Sequence, residues 1–110
     1  MRRCLLFLFA LTALAQQTAS LVPIPDLTMT GSAVPLTSST LMVHWCQFTA
    51  PTANTASIYW GNSTVTAAKG AEMAPGYGQS IPSSGPPYDT SAVYFTGTSG
   101  DKVKATCQQY

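Results

Sequence analysis

The chain has 110 residues, room for one domain and not for two, and only 8% of them are charged. Its 8 glycines and 8 prolines, set among many Ser, Thr and Asn residues, suit short strands joined by polar turns and exclude a helical bundle. The 5 Lys and Arg and 4 Asp and Glu leave a formal net charge of +1, so no strong field of either sign recommends a partner.

At the N-terminus Arg2 and Arg3 precede the apolar run Cys4-Leu5-Leu6-Phe7-Leu8-Phe9-Ala10-Leu11 and then Thr12-Ala13-Leu14-Ala15. Basic residues, an apolar stretch and a small-x-small pair, in that order, read as a secretory signal peptide over residues 1–15. Ala13 and Ala15 fit the two small pockets of a signal peptidase, which places the cut before Gln16, with Ala19-Ser20 as a weaker second site. An apolar run of about a dozen residues falls short of the ~20 that span a bilayer, which argues against an uncleaved anchor. Cys4 precedes the apolar stretch, whereas a lipid-modified cysteine would follow it. Without residues 1–15 the chain carries three lysines against 4 acidic residues, a net charge of −1. Lys69, Lys102 and Lys104 are scattered, which argues against nucleic acid or anionic lipid as a partner, and no membrane association is expected after signal removal. Two cysteines remain, Cys46 and Cys107, and an even pair in an exported chain reads as a disulfide. The product is expected to be secreted or held at the cell surface, a periplasm included.

Residues 16–26 contain Pro23 and Pro25 and no periodicity, so they read as an extended leader, and 27–110 as a single β-domain. Short strands are expected at 27–30 and 34–36. Leu41-Met42-Val43-His44-Trp45-Cys46-Gln47-Phe48 is the strongest strand. Its parity puts Met42, His44, Cys46 and Phe48 on one face and Leu41, Val43 and Trp45 on the other, so both faces need cover, from a second layer or from another molecule. Ala56-Ser57-Ile58-Tyr59-Trp60 follows, ending at a Gly61-Asn62 hairpin signal from which Thr64-Val65-Thr66 returns. Gln79-Ser80-Ile81 pairs briefly, 82–87 is a breaker, and 93–96 with 102–107 form a C-terminal hairpin around Gly97-Thr98-Ser99-Gly100-Asp101. The whole predicts an all-β fold: a small antiparallel β-sandwich or barrel of about seven to eight short strands with one disulfide. Alternation in the last strand points Cys107 to the core, and a bridge to Cys46 closes a loop of about sixty residues, for which chain entropy gives roughly 4 kcal/mol.

Catalytic chemistry is thin. His44, the only histidine, sits in an apolar strand and reads as a packing residue. One His, two bridged Cys and four dispersed carboxylates do not make a metal site, so no metal and no other cofactor is expected. Asp26, Glu72, Asp89 and Asp101 have blander work available in turns than as a glycosidase pair. Asn62-Ser63-Thr64 matches the glycosylation triplet, which short polar turns often produce by chance, and Gly76-Tyr77-Gly78 lacks the helix a phosphate loop requires. Aromatics carry more weight. Trp45 and one of Tyr59 or Trp60 are expected in the core, while Trp60, Tyr77 and Tyr88 form a candidate binding surface beside the loops.

Four segments stand in a familiar order: Val34-Pro35-Leu36-Thr37-Ser38-Ser39, Ala50-Pro51-Thr52-Ala53-Asn54-Thr55, Ile58-Tyr59-Trp60-Gly61-Asn62-Ser63-Thr64-Val65, and Val93-Tyr94-Phe95-Thr96-Gly97-Thr98-Ser99-Gly100-Asp101-Lys102-Val103, with Lys69-Gly70 and Pro75-Gly76 between the last two. Over about residues 33–104 the chain resembles a small β-module of tailed-phage virion proteins. The resemblance implies a structural or attachment part and transfers no active site. An exported bacterial form of the module reconciles it with the leader. The expected function is therefore a secreted, non-enzymatic structural or surface-attachment module that assembles with itself or binds a surface partner, with carbohydrate binding through Trp60, Tyr77 and Tyr88 as the alternative.

Overall fold

A computed structural model describes residues 20–83 and 85–109. The signal peptide expected over residues 1–15, with its expected cleavage residues Ala13, Ala15 and Gln16, lies outside the described residues, as does Tyr110. Ten strands occur among them: β1 Ser20–Thr28, β2 Val34–Pro35, β3 Met42–Val43, β4 Trp45–Thr49, β5 Ile58–Gly61, β6 Ala71–Met73, β7 Gly78–Pro82, β8 Tyr88–Asp89, β9 Tyr94–Thr96 and β10 Lys102–Gln109. One sheet runs β1-β10-β4-β7, the second β2-β9-β5-β6, and β3 pairs only with β8. Every pairing is antiparallel. The expected all-β architecture with one disulfide holds; the strand count exceeds seven to eight because the long strand is divided and β8 is a separate two-residue piece.

The division falls at His44. Its backbone N–H donates to the Gln108 carbonyl (2.9 Å) and its carbonyl accepts from Ser83 (2.7 Å), so β3 leaves the first sheet just before β4 begins. One irregular residue shifts the alternation by one, as a bulge does. Val43, expected opposite Cys46, therefore shares the core with Cys46 and Phe48, while Trp45 stays outside and half-buried. The break brings Val43 inside and leaves Trp45 as the large apolar side chain of β4 on the outer face.

The segment expected as an extended leader, whether packed or mobile, is from Ser20 on an edge strand paired along β10 from Ser20↔Gln109 to Thr28↔Lys102. Pro23 and Pro25 are tolerated because an edge strand has a free side, and Pro25 falls in the register irregularity between Ile24 and Leu27. The C-terminal hairpin is instead a corner. β9 belongs to the second sheet and β10 to the first, and the turn between them is tied to residue 29 by Gly100 N–H to Met29 O (3.0 Å) and Met29 N–H to Asp101 O (2.8 Å). Gly100, at φ +94°, supplies a backbone angle that L-residues avoid. Residues 64–66 do not pair as a returning strand; β6 closes the hairpin with β5, and residues 62–70 form an excursion between them.

The core lies between the two four-stranded sheets. Phe48 of β4, fully buried, meets Trp60 of β5 and Phe95 of β9 edge-to-face, with ring centroids 5.2 and 5.1 Å apart. Around these rings pack Met29, Val43, Ile58, Met73 and Val103. Cys46 and Cys107 are bridged, and they face each other across β4 and β10 with Cα atoms 4.0 Å apart. The staple thus joins neighbouring strands of one sheet, and both sulfurs are buried. At the β7 edge Gln79 latches the layers together: Oε1 accepts from the Trp60 indole N–H and Nε2 donates to the Glu72 carbonyl (3.3 Å).

Truncation at the centre should be costly. Phe48→Ala is expected to lose about 3–5 kcal/mol, and the Cys46→Ala/Cys107→Ala pair about 2–5 kcal/mol, since the closed loop spans 61 residues in sequence. Guanidinium unfolding followed by circular dichroism measures both; a loss under ~1 kcal/mol for Phe48→Ala would contradict its central position.

Candidate functional site

The carboxylates all hold structure. Asp101, buried at the β9–β10 corner, accepts from Thr55 N–H (3.0 Å), Ala56 N–H (3.1 Å) and the Thr55 hydroxyl (3.1 Å). Asn54 completes this clamp by exchanging two 2.8 Å bonds with the Lys102 backbone. Asp89 accepts from Ser91 N–H (2.9 Å), capping the short 3₁₀ turn Thr90–Ala92, and from Leu41 N–H (3.2 Å). Glu72 accepts from the Ser57 hydroxyl (2.8 Å), and Asp26 pairs with Lys104 at 3.0 Å on the surface. Among the described residues no three His, Cys, Asp or Glu side chains gather as a metal-holding group. Asn62 is engaged in an Asx turn, its Oδ1 accepting from Thr64 N–H (3.0 Å) and the Thr64 hydroxyl (2.6 Å).

The three aromatics expected at a binding surface have separate surroundings. Trp60, half-buried as Trp45 is, turns its ring against Phe48, so it and not Trp45 is the tryptophan packed on the core. Tyr88 packs on the core and donates its hydroxyl to the Ile81 carbonyl (2.6 Å), while burial pushes its phenol pKa upward. Tyr77, 68% exposed, borders a shallow depression with Glu72 and Gln79. Parity along β5 is the signal that separates Tyr59 from Trp60: Ile58 and Trp60 share the inner face, leaving Tyr59 outside.

A graded surface lies on the outer face of the first sheet. Register places Leu21, Gln108, Trp45 and Pro82 in one row across all four strands. The next row, Pro23, Thr106, Gln47 and Ser80, is also uncharged. Only beyond it come Lys104 and Asp26, already paired with each other. Leu21 is 66% exposed and Trp45 half-buried; together with His44 and Ser83 they line a shallow open depression. Large apolar side chains in a row on the outer face of a sheet are the form a contact surface takes. A scan of protein-family models, a search of curated proteins and a search of solved structures each return no match to this chain.

The aspartate clamps give a pH signature. Backbone N–H donors, from Thr55 first and Ala56 next, hold the Asp101 carboxyl below its usual 3.8, and the Ser91 N–H does the same for Asp89. The unfolded chain then binds more protons in acid, so this stabilisation is present above pH 3.8 and is lost as pH falls through the lower folded values. Thermal melts of the wild type should be flat from neutral pH to about 5 and fall below about 4. Asp101→Asn should melt lower at neutral pH with a flattened acid limb; an unchanged limb contradicts the clamp.

Proposed function

We propose that this chain is an exported, non-enzymatic structural or surface-attachment module that associates with copies of itself through the outer face of the β1-β10-β4-β7 sheet. The observation that carries the reading is the uncharged row of Leu21, Gln108, Trp45 and Pro82. Two copies meeting face to face across a two-fold axis bring like surface to like, and a row without charges does so with no electrostatic repulsion. Each carboxylate is already committed to a structural bond, which favours a role in contact over one in catalysis.

Export is supported by the apolar leader and small-x-small site and by the bridged pair Cys46–Cys107, since disulfides persist in oxidising compartments. No helix among the described residues is long and apolar enough to cross a membrane. The resemblance to tailed-phage virion modules agrees with a structural role. Two of its motifs have physical work, since Asn54 and Asp101 clamp the β4–β5 loop to the β9–β10 corner.

Sedimentation velocity of the exported product over a range of concentrations tests the reading. The wild type should show a mass that rises with concentration. Trp45→Glu should remain monomeric at the same loading, with its melting temperature within a few degrees, because the ring lies outside the core. A wild type that stays monomeric up to about millimolar concentration, or a Trp45→Glu variant that associates equally well, overturns it.

A further inference from the structure

The geometry points to a second site on the opposite sheet: the groove over the outer face of β9 and β5 is a binding site for neutral carbohydrate, built on Tyr59 and Thr96. These two residues are register partners in the antiparallel β5–β9 pair, so their side chains stand together on the face away from the core. They form the floor of an open groove whose walls are residues 31–33 on one side and 65–67 on the other. No charged side chain lines it. Hydroxyls do: those of Ser32, Tyr59, Thr96 and Thr98 all line the groove and bond no other protein group among the described residues.

The groove is a built feature. Val65, 5% exposed, is sunk against Gly61 and Gly70 and so fixes the second wall. A Cβ at Gly70 would lie 2.7 Å from a Val65 methyl and 3.2 Å from the Trp60 carbonyl, so only glycine lets the excursion fold back this closely. Paired backbone bonds between Thr66 and Lys69 (3.1 and 3.0 Å) hold its tip. The opposite wall turns at Gly31, φ +91°.

The lining selects the ligand chemistry. The groove has no cation to hold phosphate or carboxylate, and the one carboxylate that borders it, Glu72 across from Tyr59 on β6, is already bonded by the Ser57 hydroxyl (2.8 Å). Side-chain hydroxyls both donate and accept, which matches the hydroxyls of a sugar. A tyrosine ring offers an apolar body with a polar tip, matching a sugar ring whose C–H face is apolar and whose rim is polar. An extended peptide would favour an open strand edge, where backbone groups pair, and the groove lies on a sheet face. This site lies on the other sheet from the Trp45 row, so failure of self-association leaves the groove untouched and failure of sugar binding leaves the Trp45 row untouched.

Titration of the exported protein with neutral glucose-, mannose- and N-acetylglucosamine-based oligosaccharides, after an array carrying neutral and acidic glycans, tests the assignment. Binding to at least one neutral series is expected. Tyr59→Ala should weaken it tenfold or more, and Thr96→Val, which keeps shape and removes one hydroxyl, should weaken it several-fold with an unchanged melting temperature. Gly70→Ala should also weaken it by displacing the Val65 wall, whereas Trp45→Glu should leave it intact. No binding at millimolar oligosaccharide, binding confined to acidic glycans or to peptides, or unaltered affinity in a folded Thr96→Val protein together with Tyr59→Ala would overturn the site.

Discussion

Phe48 is the contact on which both layers depend. It sits on β4, an inner strand of one sheet, and meets Trp60 and Phe95 on the two inner strands of the other, so the sheets are packed through one three-ring cluster. A domain of this size buries a modest share of its surface and has little reserve if the centre is lost. The other devices act around that cluster. The Cys46–Cys107 bridge fixes β4 against β10 within the first sheet, two residues from Phe48 along β4, and the Gln79 latch ties the Trp60 indole to the β7 edge. Neither would place the second sheet without the rings between the layers.

Much of this was legible in the residues, and the failures have local causes. Alternation in 102–107 correctly aimed Cys107 inward because β10 is regular through that stretch. Alternation through 41–48 misplaced Val43, because parity assumes an unbroken strand and the break at His44 is stabilised by long-range backbone partners, Gln108 and Ser83, that local pattern cannot reveal. The turn 97–101 looks like a hairpin locally. It becomes a corner because Met29 and the Thr55–Ala56 backbone capture its far side, contacts distant in sequence. Pro23 and Pro25 argued against a helix, yet they could not distinguish a loose leader from a protected sheet edge.

The candidate surfaces show the same division. Trp60, conspicuous beside a turn, reads as a binding residue from its neighbours alone; its parity with Ile58 turns the half-buried ring toward Phe48. Tyr59 and Thr96 meet only when β5 and β9 pair, which sequence distance hides. Trp45 was expected to fill the core. The His44 break leaves it outside with Leu21 and Pro82, residues from strands far apart in the chain. Both proposed contacts thus arise from which side of each strand the fold turns outward: an apolar face for another copy on one sheet, and a hydroxyl-lined groove on the other.

The exchange of roles between the two tryptophans is the claim from which the rest follows, and it is open to a direct optical measurement. In single-tryptophan variants, Trp45→Phe leaves Trp60 as the sole indole and Trp60→Phe leaves Trp45. Acrylamide quenching of dilute protein should find Trp60, packed on Phe48, blue-shifted relative to Trp45 and the less readily quenched of the two, with Trp45 gaining protection as concentration rises. A shielded Trp45 in dilute monomer beside a freely quenched Trp60 would mean that the strands face the other way, and the core, the contact row and the groove would all be misassigned.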